Sequence, residues 1–251
     1  MATNHDNQKN LIKACTERSE CITVQTELLQ RIARYLMLHG CFTSNIGLLN
    51  GKTGIAIFFY HYARYTGKHI YNNFAGELLD EIYKEIHLNI PVNFRDGLCG
   101  IAWGVEYLIR NRFVEGNPDD VLDDLDKQIV ERDVRRISDY SLETGLTGIA
   151  CYVISRMENR EKEHAYIRSD YIYDLIESLK RKEEDTHLVL IEALQNIVQE
   201  KKVLPSYNPV FSIVDKIKYN KKTVFESSRF LGIDNAGYAG IGLQLMEVGK
   251  Q

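Results

Sequence analysis

Apolar positions along this chain recur at helical spacing, in two styles that alternate. In the first style a narrow apolar stripe runs along a charged segment. Over 71–88 the stripe is Phe74, Leu78, Ile82 and Ile86, and Glu77, Asp80, Glu81, Lys84 and Glu85 occupy the polar face. A helix patterned this way lies outside, with one face buried. The second style is apolar almost throughout, as in Ile55-Ala56-Ile57-Phe58-Phe59, and belongs inside. The predicted outer helices are 21–38, 71–88, 119–137, 166–182 and 211–219. The predicted inner helices start near 52, 98, 146, 186 and 238. Gly40 is the expected C-cap of the first helix and Asp119 or Asp120 the expected N-cap of the third outer one. No run alternates with period two over a strand's length, so no sheet is predicted.

Four of the five inner helices open on one phrase. It reads Gly51-Lys52-Thr53-Gly54-Ile55-Ala56, Gly97-Leu98-Cys99-Gly100-Ile101-Ala102, Gly145-Leu146-Thr147-Gly148-Ile149-Ala150 and Gly237-Tyr238-Ala239-Gly240-Ile241-Gly242. The first glycines stand 46, 48 and 92 residues apart, and the last step is twice the first. A degenerate unit therefore sits between the third and fourth copies, over 186–199. A period of this length marks stacked helical repeats. An all-α fold of about five outer–inner helix pairs follows, as an open solenoid or a closed α/α toroid.

Glycine in a helix costs about 1 kcal/mol relative to alanine, so its repeated use at one place implies a packing or approach constraint. Small residues also precede the second glycine (Thr53, Cys99, Thr147, Ala239), which lets neighbouring inner helices approach closely. Asn50, Asp96 and Thr144 precede the first glycines and are expected N-caps. If the inner helices run the same way around a ring, their N-termini share one mouth, and each end favours an anion.

Charge and cysteine usage narrow the function classes. A net charge of −4 and short basic clusters offer no nucleic-acid or membrane surface. The most apolar segment carries His61 and Arg64 and is too short to span a bilayer. Residues 1–19 are polar, without a signal-peptide core, and read as a tail preceding one domain over 20–251. Five cysteines without a Cys-x-x-Cys pair suit a reducing compartment, so a cytoplasmic protein is expected.

The stretch from Ile55 to Gly67, the amphipathic segment after it, and the closing Ala236-Gly237-Tyr238-Ala239-Gly240-Ile241-Gly242-Leu243-Gln244-Leu245-Met246 resemble repeats of lanthionine synthetase C-like proteins. The resemblance spans about 21–248. It implies an α/α toroid and a link to modified-peptide maturation. In that family's cyclases zinc activates a peptide thiolate, held by a cysteine and a Cys-His pair placed one and two residues before the first glycine of two repeats. Here those positions hold Leu49 and Asn50, Arg95 and Asp96, Glu143 and Thr144, and Asn235 and Ala236. None is cysteine or histidine, and the chain has fewer helix pairs than the family's usual ring. Cys99 and Cys151 fall at packing positions, and His61 lies among aromatics. No metal and no cofactor are therefore expected.

The candidate site is the mouth: Asn50, Arg95, Asp96, Glu143, Thr144, Asp234 and Asn235, with His187 at the start of the degenerate inner helix. The bland alternative makes Asn50, Asp96 and Thr144 caps, Asp234 and Asn235 a turn, and Arg95 the partner of a neighbouring acid. The expected function is a divergent, zinc-less member that binds a peptide or protein partner. One alternative is a carboxylate-dependent enzyme acting on a sugar or small molecule through Asp96, Glu143, Asp234 and His187. Another is a helical-repeat scaffold. Trp103, Phe58, Phe59, Tyr60 and Tyr62 line a cavity or fill the core.

Overall fold

The computed structural model describes residues 24–87, 89–158, 166–182, 184–201, 207–220, 224–227 and 230–247. The expected tail, 1–19, lies outside them. The described residues are helical and contain no strand. The helices are α1 (24–39), α2 (Lys52–Thr66), α3 (His69–Glu85), α4 (Leu98–Arg110), α5 (Pro118–Val130), α6 (Leu146–Met157), α7 (Ser169–Leu179), α8 (Asp185–Val198), α9 (Pro209–Val214), α10 (Val224–Ser227) and α11 (Tyr238–Leu245).

Five inner helices stand in the order α11, α2, α4, α6, α8, each packed on the next. The outer helices α3, α5 and α7 cover them, and α9 packs on α11. This is an α/α toroid, and the two apolar styles assign the layers. In α2 every residue from Lys52 to Tyr60 is buried, whereas α3 buries only Ala75, Leu78 and Ile82. The aromatics of the inner layer are core: Phe58 stacks on Tyr62 and Trp103 on Tyr107.

The glycine phrase answers a close approach, and the approaching group is backbone of the chain's own preceding loop. Before each phrase the chain folds back over the first turn of its own helix. A Cβ on Gly97 would lie 2.0 Å from the Pro91 carbonyl oxygen, and one on Gly100 would lie 2.0 Å from that of Phe94. Gly51, Gly54, Gly145 and Gly148 meet carbonyls six residues upstream in the same way, and Gly237 and Gly240 meet those of Gly232 and Ile233. The missing side chain is thus replaced by the preceding loop, not by a neighbouring helix. The expected close approach of inner helices occurs at Gly242, which ends the fourth phrase and faces Phe58, and at Gly104, which faces Thr53 of the first phrase.

The caps differ from those expected. Gly51, Gly97, Gly145 and Gly237 are themselves the N-caps, without side-chain cap bonds. The first-turn N–H groups donate to the folded-back loops instead: Lys52 to Asn45 O, Leu98 to Pro91 O, Leu146 to Asp139 O and Tyr238 to Phe230 O, all within 3.0 Å. Asn50, Asp96 and Thr144 are therefore not caps. Asn117, with Pro118 following, caps α5 in place of Asp119 or Asp120. That helix stops at Val130 rather than 137, and a 3₁₀ turn at Val134–Arg136 follows. Gly40 begins a 3₁₀ turn against Ile55 and is not a left-handed C-cap, while Gly67 is one, at φ 68°.

Candidate functional site

The folded-back loops join edge to edge into a collar at the N-terminal end of the inner helices. Leu49 N donates to Arg95 O (2.8 Å), Phe94 N and Arg95 N both donate to Glu143 O (3.0 and 2.9 Å), and Ile233 N and Asp234 N donate to Leu49 O. These bonds place all four phrases on one face of the ring. Each loop is shaped by a short polar side chain bonding its own backbone. Asn45 Oδ1 accepts from Gly47 N, Asn93 Oδ1 from Asp96 N, and Asp139 Oδ1 from Ser141 N. The Thr53 and Thr147 hydroxyls each donate to a carbonyl seven residues upstream, at 2.6 Å. Their position in the phrase first suggested only small size. Asn45, Asn93 and Asp139 were missed; their signal in the sequence was an Asn or Asp four to six residues before each of three phrases.

The collar separates the candidate residues into two groups. Around the first phrase, the Asp96 carboxylate accepts from Asn45 Nδ2 (2.9 Å) and Asn50 Nδ2 (3.3 Å). Arg95 pairs with Asp234 at 3.5 Å, and its Nε and the Asn50 Oδ1 are buried without a hydrogen-bond partner among the described residues. The second group lines a cleft of about 500 Å³, a size ordinary for small-ligand sites. One wall is Tyr140 to Glu143 with Thr147, and the other is Ser212, Ile213, Lys216, Ile217 and Lys218 with Asp234, Asn235 and Ala236. The cleft therefore lies at the seam where α6 and α8 face α9 and α11. Asn235 and Ala236, on its lip, hold φ of 54° and 53°, a conformation that non-glycine residues rarely adopt. Thr144 stands outside the cleft, donating to Asp139 Oδ2 at 2.5 Å.

His187 is beneath the cleft rather than at its mouth. It is buried, with Nδ1 2.9 Å from Lys182 O and Nε2 3.1 Å from Thr147 Oγ1. The carbonyl can only accept, so Nδ1 carries a proton. Glu184 is 3.5 Å from Nε2 and is itself bound to Lys182 at 2.6 Å. On the second wall, burial holds the Tyr207 phenol above its ordinary pKa; its bond to Ser212 works against this, and the Glu143 carboxylate adds to it.

The pull on anions expected of each helix end is weakened in this geometry. At each phrase the first helical N–H, one of the orphan donors that make a helix N-terminus attractive to anions, is taken up by a collar carbonyl. The donor set for zinc is equally poor. Among the described residues no group of three His, Cys, Asp or Glu side chains is placed to hold a metal. Burial pushes the Cys99 and Cys151 thiols well above the ordinary range, and it is the thiolate that binds metal. Among the described residues, no such set fits the zinc of the cyclases that the chain's repeats resemble.

A family model described as Lanthionine synthetase C-like protein matches residues 44–203. It takes in the first three phrases and the degenerate unit. The fourth phrase falls beyond it, although the fourth loop folds back on its helix as the others do. Among curated proteins the chain has no significant match. The matched segment covers well over half of the chain, and the chain belongs to the lanthionine synthetase C-like family.

Proposed function

We propose that this protein is a zinc-less, peptide-binding member of its family, acting in modified-peptide maturation through the cleft beside Glu143. One observation carries the reading. Where the family's cyclases place their chemistry, this chain builds a hydrogen-bonded collar that opens into a polar cleft, without thiol or imidazole on its walls among the described residues. A cleft edged by exposed loops suits an extended peptide, whose backbone needs polar partners. Free cysteines at positions 41, 99 and 151, and the absence among the described residues of any helix long and apolar enough to cross a membrane, favour a cytoplasmic setting. The carboxylate-enzyme reading needs two free acids. Asp96 is engaged by two amides and Asp234 by Arg95, which leaves Glu143 alone.

Two measurements test the proposal. Elemental analysis of the chain purified without chelator is expected to give far less than one zinc per chain; a stoichiometric metal overturns the zinc-less part. Short labelled peptides are expected to bind by fluorescence anisotropy and to be displaced in Ser141→Trp, which fills the cleft from its lip. Binding unchanged in that variant moves the site elsewhere.

A further inference from the structure

The charged groups of the cleft fall into two classes. Some are already matched: Glu184 lies 2.6 Å from Lys182 and Asp234 lies 3.5 Å from Arg95. Others have no ion-pair partner among the described residues: Glu143 on one wall, and Lys216 and Lys218 on the other. The unmatched acid is half-buried and close enough to the Tyr207 phenol to disfavour its ionisation. The unmatched bases are exposed. They are carried by different parts of the ring, Glu143 by the loop that opens α6, and the lysines by the segment that follows α9. Among the described residues no ion pair joins the two signs across the cleft.

Separated, unmatched charges of opposite sign select a ligand that carries both. A simple anion meets the lysines but gains nothing at Glu143, and a simple cation does the reverse. Tyr207, Ser212 and Ser141 also line the cleft, and their hydroxyl oxygens can accept from a peptide backbone without adding charge. Building on the peptide-binding reading above, we infer that the cleft takes a short peptide segment bearing a basic side chain, seated at Glu143, and an acidic side chain, seated at Lys216 and Lys218. Each contact is partly solvated, so each contributes modestly and is screened by salt. Selectivity then comes from needing both.

The test uses the full chain and four acetylated, amidated hexapeptides, each made in both residue orders. One carries a lysine and a glutamate separated by two serines; in the others glutamine replaces the lysine, the glutamate, or both. Anisotropy at low salt is expected to show the doubly charged peptide binding about three- to five-fold more tightly than either singly charged one. Glu143→Gln is expected to abolish the distinction between lysine and glutamine peptides while preserving that between glutamate and glutamine. Lys216→Met/Lys218→Met is expected to do the converse. Unchanged melting temperatures establish that both variants fold. Equal binding of all four peptides overturns this inference and leaves peptide binding standing. Binding of none overturns both. Discrimination that survives in both variants places the charge recognition outside this cleft and overturns the inference as well.

Discussion

At the residue scale, the phrase glycines are fixed by backbone rather than by side chains. The atom that a Cβ on Gly148 would strike is the Leu142 carbonyl oxygen, at 2.3 Å, with the Phe94 Cβ at 2.6 Å. Neither is the end of a flexible side chain. Alanine raises helix propensity by about 1 kcal/mol, yet Gly148→Ala is expected to destabilise by about 2 kcal/mol or more, because the loop must move off the helix. Urea titration reads the change in midpoint, and a gain in stability would mean that the loop is free to shift. Gly67→Ala makes a contrasting case. Nothing lies within 4 Å of its absent Cβ, and its φ of 68° is the only obstacle, so the loss there is expected to be about 1 kcal/mol.

At the element scale, the far end of the inner helices holds a charged cluster that the apolar pattern hides. Arg156 in α6 is 2% exposed and Asp126 in α5 is fully buried. The guanidinium donates to Asp126 through Nε (3.0 Å) and an Nη (2.8 Å), reaches Asp119 at 3.0 Å and Glu106 of α4 at 3.4 Å, and Asp126 also accepts from the Tyr152 hydroxyl. Three helices thus meet on one cation. Burial opposes the charge of Arg156, and Asp126 is the largest of the groups that restore it. Removing one partner leaves the other charged and buried, so Arg156→Met is expected to cost about 3–5 kcal/mol. Adding Asp126→Asn to that variant is expected to recover part of the loss. A double-mutant cycle by chemical denaturation measures this, and strictly additive losses would show that the pair is not coupled. Arg156 and Asp126 were legible only as a basic residue near a helix end and one acid among several. Their meeting depends on the rotation of α5 about its axis, which the stripe of Leu122, Leu125 and Ile129 sets only together with its neighbours.

At the scale of the whole molecule, stability is expected to fall in mild acid, for a reason located in α2. Burial, and then the Arg64 charge, push the His61 pKa down to about 4; the ring bonds the Tyr107 hydroxyl at 2.8 Å and packs on Phe113. An unfolded histidine titrates near 6.5. Between these values the unfolded chain binds the extra proton, so stability is full above about pH 6.5 and is lost as pH falls towards 4. Taking pH from 7 to 5 is expected to remove about 1–2 kcal/mol through this residue, and His61→Phe is expected to flatten that part of the profile. Equal acid sensitivity in the variant would assign the loss to other groups.

The sequence alone determined the helical class, the two layers and the period, because burial on one stripe or on all sides leaves a direct mark in composition at 3.6-residue spacing. It also located the helix starts, since the phrase is written once per unit. What it did not determine is what the glycines touch, which side chains cap, and which mouth residues meet. Asn50, Asp96 and Thr144 have the right chemistry for N-caps, and only the loop folded over each helix start shows that backbone carbonyls have taken that task. Arg95 and Asp234 are far apart in the chain and adjacent in the collar. His187 was placed at the mouth by its position near a helix start, and the tertiary structure puts it beneath the cleft floor, bonded to Thr147. Periodicity is a local property and survives in one dimension. Contacts between loops of different units are set by how successive helix pairs pack side by side, and that is decided only when the units assemble.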